Sequence, residues 1–400
     1  MKTKFIALAG GLLAATALAS VPAKADVKIG LLGGVSGAIS AMAPSMLEAS
    51  NLAIKQVNEQ GGILDGETLE GVIGDSACNP QGGTDAATKA VNIEGVSVLV
   101  GPHCSGAVLA ASGSVSIPAG ITMITPSGTS PEITGLEDND TVFRTVSSDD
   151  YQGRALARTL KDAGYEKVAV AYVNNDYGSG LANAFKAEFE TLGGEIAGFA
   201  AHEADKASYR SNLAELADGG ADTLVLFDYG DGTGLTILRQ ALENGFFEKF
   251  VGADGMKSEA LIEELGPENL TNFVTSAPVG EKSDALDAFN KAFQADGGDP
   301  DAIFVTTSYD AAFLAALAIE KAGGDKAGIA AALREVSNGE GETILPGEWA
   351  KAKKLIAAGT AIDYKGAAGD QNFDAAGDVP GIYALFKVNG DQFETMTEMK

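Results

Sequence analysis

The sequence predicts an α/β fold of two lobes, each built on a parallel-type central sheet, and three observations predict it. Short β-branched runs alternate with longer segments of helical period, the alternation occurs in two series that divide near 143–150, and 400 residues are too many for one core. The first series places strands at 27–32, 69–74, 96–100 and 121–124, and the second at 168–173, 195–200, 223–228 and 250–252. Helical spacing fills 46–58, 152–162, 180–191 and 235–244 between them. Each of these helices runs into glycine (Gly61-Gly62, Gly164, Gly193-Gly194, Gly245), where a helix closes on a left-handed residue. Strands alternating with helices of this length make parallel sheets covered on both faces. After the second series come Ala-rich helices at 282–296 and 308–323, a third near 325–336, and a β-like stretch at 383–388. These segments return to the lobes and form no third domain. The expected division is a leader at 1–25, a first lobe of 26–146 with 278–380, and a second of 147–277 with 381–400.

The leader fixes the compartment. Lys2 and Lys4 precede an apolar, small-residue run from Phe5 to Ser20, too short to span a bilayer as a stable helix. Ala23 and Ala25 then supply the small-x-small pattern of a signal-peptidase site, so the mature chain begins near Asp26. No cysteine follows the cleavage site to carry a lipid. The two cysteines, Cys78 and Cys104, both lie in the exported part, where a single pair reads as one disulfide; two buried thiols are the alternative. Their spacing is not that of a CxxC redox pair. With only two histidines beside them they make no structural zinc site, and no metal or cofactor is expected.

Charge excludes further classes. The leader takes three of the 28 Lys and Arg and none of the 55 Asp and Glu, which leaves the mature chain at −30. So acidic a surface argues against nucleic-acid binding, which needs basic stripes. Among the strand-end loops, Gly33-Gly34-Val35-Ser36-Gly37 is not a GxGxxG dinucleotide loop, and no GxxxxGK[ST] occurs. His103 and His202 sit in no nucleophile elbow or HExxH. No catalytic residue is assigned, and a secreted enzyme on this fold is the rival from another class.

In open α/β sheets ligands bind beyond the carboxyl ends of strands, and four loops there stand out: 33–37, 101–106, 125–131 and 252–255. Their residues, together with Asn58-Glu59-Gln60-Gly61-Gly62-Ile63, Asp75-Ser76-Ala77-Cys78-Asn79-Pro80, Phe143-Arg144-Thr145, Asp176-Tyr177-Gly178-Ser179-Gly180 and Ile237-Leu238-Arg239-Gln240-Ala241, resemble the leucine/isoleucine/valine-binding proteins of branched-chain amino-acid ABC importers. The resemblance covers nearly all of the mature chain. That wider family also includes binders of amides, urea and small organic acids.

The resemblance implies a type I periplasmic-binding fold: two Rossmann-like lobes joined by three crossovers, with a ligand between them. It implies a periplasmic, Gram-negative location, a monomer, a membrane permease of an ABC importer as partner, and an amino acid, aliphatic or related, as ligand. An amide, urea or small carboxylic acid is the alternative. The family's carboxylate-binding serine falls on Ser105, directly after the second cysteine, and its backbone site and hydroxyl in the Thr-Pro segment fall on Ser127 and Thr129. The tyrosine before glycine falls on Tyr177, and Tyr229 is the best match for the second-lobe tyrosine. The acid that pairs with the ligand ammonium falls on Asp254, where the family has Glu, and Met42 stands where it has an aromatic residue.

Physical chemistry supports these assignments separately, because a zwitterion taken out of water must have both charges met. Ser105 should open the helix after the third strand, Thr129 can donate from the next loop, and Asp254 can accept from an ammonium. Bland readings stand beside them: Ser105 as a helix cap, Thr129 as a turn residue, Asp254 as a surface turn before Gly255, Tyr177 as packing. Asp228 and Asp231 are rival acids on the neighbouring wall.

Overall fold

A computed structural model describes residues 26–399, and the expected leader lies outside the described residues. Five strands, β1 (Val27–Gly33), β2 (Leu69–Asp75), β3 (Val98–Val100), β4 (Met123–Thr125) and β5 (Val142–Arg144), form one sheet in the order β2-β1-β3-β4-β5, with every pair parallel. The next five, β6 (Lys167–Val173), β7 (Glu195–His202), β8 (Thr223–Phe227), β9 (Lys249–Gly252) and β10 (Phe273–Val279), repeat that order as β7-β6-β8-β9-β10. A small parallel pair follows, β11 (Glu342–Ile344) and β12 (Ile362–Tyr364). Then β13 (Ile382–Asn389) and β14 (Gln392–Glu398) extend the second sheet antiparallel from β10. β3 and β8 are buried at every position, as parallel strands covered on both faces must be.

Each sheet therefore has the doubly wound 2-1-3-4-5 order, whose ligand crevice lies where the order reverses, between β1 and β3 and between β6 and β8. The chain passes between the two sheets three times: after β5, after β10 and ahead of β13. On its second passage it packs back on the first sheet. Phe289, Phe313, Trp349 and Tyr364 share one core with Ile29, Leu31 and Val100.

The helices that bear on the site are α1 (Ala43–Glu59), α2 (Ser105–Ala111), α3 (Asp149–Asp162), α4 (Asp176–Thr191), α5 (Thr233–Asn244) and α6 (Val305–Lys321). Five of them begin two to four residues ahead of the expected bounds. Apolar periodicity starts only when a helix meets the core, whereas its polar first turn is set by a cap. Ser148 Oγ accepts from the Asp150 N–H at 3.3 Å and Asn175 Oδ1 from the Gly178 N–H at 2.9 Å. At the other end of α5, Gly245 takes the expected left-handed conformation, at φ +61°. Five strands lie outside the sequence expectation: β11, β12 and β14, and in the two main parallel series β5 and β10. β5 is three residues long and falls in the stretch read as a boundary, and β10 carries Thr275, Ser276 and Pro278, which break an apolar run.

Cys78, after β2, is joined to Cys104, after β3, with Cα atoms 5.2 Å apart. Because β1 lies between those strands, the bond ties the two loops across the end of β1. No described cysteine is free. Closing the 26-residue separation should stabilise the first lobe by about 3 kcal/mol on a chain-entropy model. Thiol titration of the denatured, unreduced protein should find no reactive thiol, and the Cys78→Ala/Cys104→Ala variant should unfold with that loss. Two reactive thiols would refute the bond.

Candidate functional site

Six loops at the carboxyl ends of β1, β3 and β4 in the first sheet and β6, β8 and β9 in the second converge on one small cavity. Six of the seven residues named from sequence stand in its wall: Met42, Ser105, Ser127, Tyr177, Tyr229 and Asp254. Thr129, the seventh, is buried but is not part of the wall. Ile39, Met46 and Phe304 add apolar surface, and His103 stands beside them.

The first lobe contributes hydroxyls and backbone. Ser105 opens α2, as expected, and its Oγ accepts the N–H groups of Thr129 and Ser130 at 3.2 and 3.1 Å. With both acceptor positions used, its own proton is free to donate. Ser127 donates to the His103 carbonyl at 2.8 Å, so its hydroxyl is committed and its backbone remains. Arg144, at the end of β5, holds the 125–130 loop from below by donating to the carbonyls of Thr129 and Ser130 at 3.1 and 3.0 Å. Its fully buried guanidinium is met by Asp378 through two bonds of 2.6 Å.

The second lobe contributes an acid and an aromatic wall. Asp254 follows β9 and is 3 % exposed. Tyr177, in the first turn of α4, donates to Asp254 Oδ1 at 2.7 Å and accepts from the Gly255 N–H at 3.1 Å. Tyr229 stacks on Tyr177 with centroids 5.1 Å apart. Burial raises the Asp254 carboxyl to about 6 against the pull of the Tyr177 and Gly255 hydrogen bonds.

Both rival acids are committed elsewhere. Asp228 Oδ2 meets His202 Nε2 at 2.6 Å, and its Oδ1 accepts from the Tyr229 N–H at 2.7 Å. Asp231 accepts from Ser258 on its own lobe and from the Ala41 N–H of the opposite lobe, the latter at 3.0 Å. It is a direct contact across the cleft.

Sequence reasoning missed one acid. Asp149, at the first crossover, is fully buried, and neither carboxyl oxygen reaches a hydrogen-bond partner among the described residues. Burial and the Asp254 charge push it well above the carboxylate range, while the nearby Thr129 hydroxyl and Arg144 pull it back. Thr129 Oγ1 and Gln152 Oε1 are likewise buried without a partner. The Asp149 N–H donates to the Thr129 carbonyl at 2.8 Å, and Gln152 lies one turn along α3, so these buried polar atoms lie together beside the site, none of them in the cavity wall. Such an arrangement suits a cation. The usable signal was Ser148 as a cap ahead of Asp149, but in a chain with 55 acids it does not stand out.

The lobes meet closely enough to require glycine. A Cβ on Gly180 of α4 would come within 2.7 Å of Pro131 Cδ, and one on Gly106 of α2 within 2.7 Å of Asp176 Oδ2. Among the described residues no group of His, Cys, Asp and Glu is arranged to hold a metal, and no helix is long and apolar enough to cross a membrane.

The model of a family described as periplasmic binding protein matches residues 26–390. The leucine-, isoleucine-, valine-, threonine- and alanine-binding protein of Pseudomonas aeruginosa is 33% identical over 325 residues, 80% of this chain and 86% of that protein. Among solved structures, a branched-chain amino-acid transporter substrate-binding protein from Streptococcus pneumoniae, in complex with isoleucine, superposes with a TM-score of 0.77 at 24% identity, covering 92% of this chain and 98% of that one. A solute-binding protein from R. palustris in complex with benzoate gives 0.75 at 22% identity, covering 94% and 96%. At those identities the two structures speak for the fold alone.

The interlobe contacts predict how closure fails. Gly180→Val should wedge α4 away from Pro131, and Asp231→Ala should remove the bond to Ala41. Both should enlarge the radius of gyration in X-ray scattering and leave far-UV circular dichroism unchanged. Radii equal to that of the parent for both variants would show that these contacts do not hold the lobes together.

Proposed function

The chain belongs to the periplasmic binding protein family, receptors that bind solutes and carry out no chemistry, and on that premise we propose that it captures an α-amino acid and delivers it to the permease of an ABC importer. The observation that carries this reading is the buried carboxylate of Asp254 in the wall of a small, largely apolar cavity that has the Ser105 hydroxyl in the opposite lobe's share of that wall. A second buried acid, Asp149, stands close enough for the Asp254 charge to raise the proton affinity of Asp149. Two carboxylates out of water call for a cation, which an α-ammonium supplies. Ser105, the Ser127 backbone and Thr129 are the proposed partners of the ligand carboxylate and the groups beside it; Tyr177 and Tyr229 form the aromatic wall, and Met42 packs on the aliphatic part. The name of the Pseudomonas relative, which covers aliphatic amino acids and threonine, agrees in class.

The benzoate complex keeps a small carboxylic acid as the second reading. Such a ligand brings no cation, so the two acids would each need a proton. The residue ranges 26–146 with 278–380, and 147–277 with 381–400, are the bodies proposed to close on the ligand. The leader 1–25 is proposed to direct a monomeric receptor to the periplasm.

Two measurements test the amino-acid reading. Asp254→Asn should leave an ammonium without its charged partner in a dry cleft, a loss of about 2–5 kcal/mol, or roughly 30- to several-thousand-fold in affinity. Ser105→Ala should cost less, about 1–3 kcal/mol, chiefly from the freed N–H groups of Thr129 and Ser130. Calorimetric titration gives the order, and a loss of tenfold or less for Asp254→Asn would transfer the protein to the acid or amide class. The second measurement is pH. Asp254 is protonated below about 6 and must ionise to meet an ammonium, so affinity should fall with acidification through that value. From pH 7.5 to 5.0 the dissociation constant should rise about tenfold. An unchanged constant would mean that the ligand brings no cation to Asp254.

A further inference from the structure

Most polar groups of the cavity wall have protein partners, and His103, like the Ser105 proton, is left without one. The residue lines the cavity and is 4 % exposed, yet its Nδ1 has no hydrogen-bond partner among the described residues. The ring is also held in place. Its own carbonyl is fixed by Ser127, the next residue is tied by the disulfide, and the ring packs over Gly33, where a Cβ would lie 3.4 Å from Cε1. It cannot swing out to water without breaking that frame. Ile39, Met42, Met46, Cys104 and Phe304 of the wall belong to one apolar cluster, so His103 brings a polar side chain among apolar neighbours.

Burial lowers the imidazole to about 4, so at neutral pH it is uncharged, with one nitrogen as donor and the other as acceptor. A neutral ring offers no counter-charge to an acidic side chain. A purely aliphatic ligand would seal Nδ1 in an apolar cavity, at the cost of an unmet buried polar atom.

We infer that His103 is a specificity-determining residue that selects, among α-amino acids, those whose side chain carries an uncharged hydrogen-bonding group, a hydroxyl or an amide. This rests on the α-amino-acid reading of the site. It departs from a preference for leucine, isoleucine and valine, in that the apolar wall sets the size of the side chain and His103 sets its polarity.

The test uses matched pairs of probes, threonine against valine and glutamine against leucine, titrated by calorimetry into the full mature protein. The parent should favour the hydrogen-bonding member of at least one pair by about tenfold or more. His103→Leu should cancel or invert that ratio, and His103→Gln, which keeps a donor and an acceptor, should retain it. Equal binding within both pairs by the parent, or a ratio that His103→Leu leaves intact, overturns the inference while the α-amino-acid reading stands. If none of the four probes binds and no other α-amino acid does, both fall together. Should His103→Leu fail to fold, the parent's ratios and His103→Gln still decide.

Discussion

Arg144 is fully buried, and a guanidinium in that position is tolerated only with its charge met and its donors used. Asp378 takes two of its N–H groups and the carbonyls of Thr129 and Ser130 share a third. Three separate stretches of chain are thereby fixed to one point: the end of β5 just before the first crossover, the 125–130 loop, and the segment leading to the third crossover. Because the Thr129 carbonyl is turned down to Arg144, the Ser130 N–H on the other side of the same trans peptide is presented to Ser105 Oγ. The orientation of the Ser105 hydroxyl in the cavity thus follows from an ion pair that itself does not enter it. Removing Asp378 would be expected to disturb the site from a distance.

The same pair leaves the acids of the cleft uncompensated. Arg144 is spent on Asp378, so its charge reaches Asp149 only as a partial offset, and Asp254 has hydrogen-bond donors but no cation. Asp228, in contrast, has His202. Of the buried acids near the cleft, Asp228, with its resident partner, lies behind the wall, Asp254 stands in the wall, and Asp149 lies close enough to feel the Asp254 charge. In the unliganded protein a raised carboxyl pKa favours the folded state below about pH 4 and loses that contribution as pH rises through about 6. A bound ammonium reverses the preference by stabilising the ionised form. Ligand capture and proton release are then two views of one event.

Much of this was legible in the sequence, for reasons that differ between levels. The parallel strands declare themselves as continuous apolar runs such as Thr223–Phe227, and glycines such as Gly245 close the helices between them. Strand ends therefore locate the loops, and the loops locate Ser105, Ser127, Tyr177, Tyr229 and Asp254. Asp149 escaped because its neighbours read as an ordinary acidic first turn of a helix; only burial, which depends on the opposite loop, sets it apart from the adjacent Asp150. His103 escaped because a histidine next to a cysteine carries no mark of which way its ring points. β10 was hidden by Pro278 and its polar residues, which are tolerated where an antiparallel neighbour, β13, and a crossover follow directly.

The division of labour between the lobes explains why closure should report on the ligand's chemistry and not merely on its fit. The first lobe holds Ser105, Ser127 and Thr129, which can donate to an anion; the second holds Asp254 and its tyrosines, which can accept from a cation. Neither half meets both charges of a zwitterion. Direct contacts between the lobes include the Asp231 bond to Ala41, the Lys257 bond to the Asp301 carbonyl and the approach of Gly180 to Pro131. A bond of the first kind contributes about 1 kcal/mol, too little to hold buried acids facing one another without a cation. A zwitterion, on the proposed reading, removes that opposition and bridges the lobes at once. A simple acid would satisfy the first lobe and leave the second unchanged, and an amine would do the converse. The closed form is therefore weighted toward molecules that carry both groups at the spacing of an α-amino acid, with the selection made by the free energy of closing.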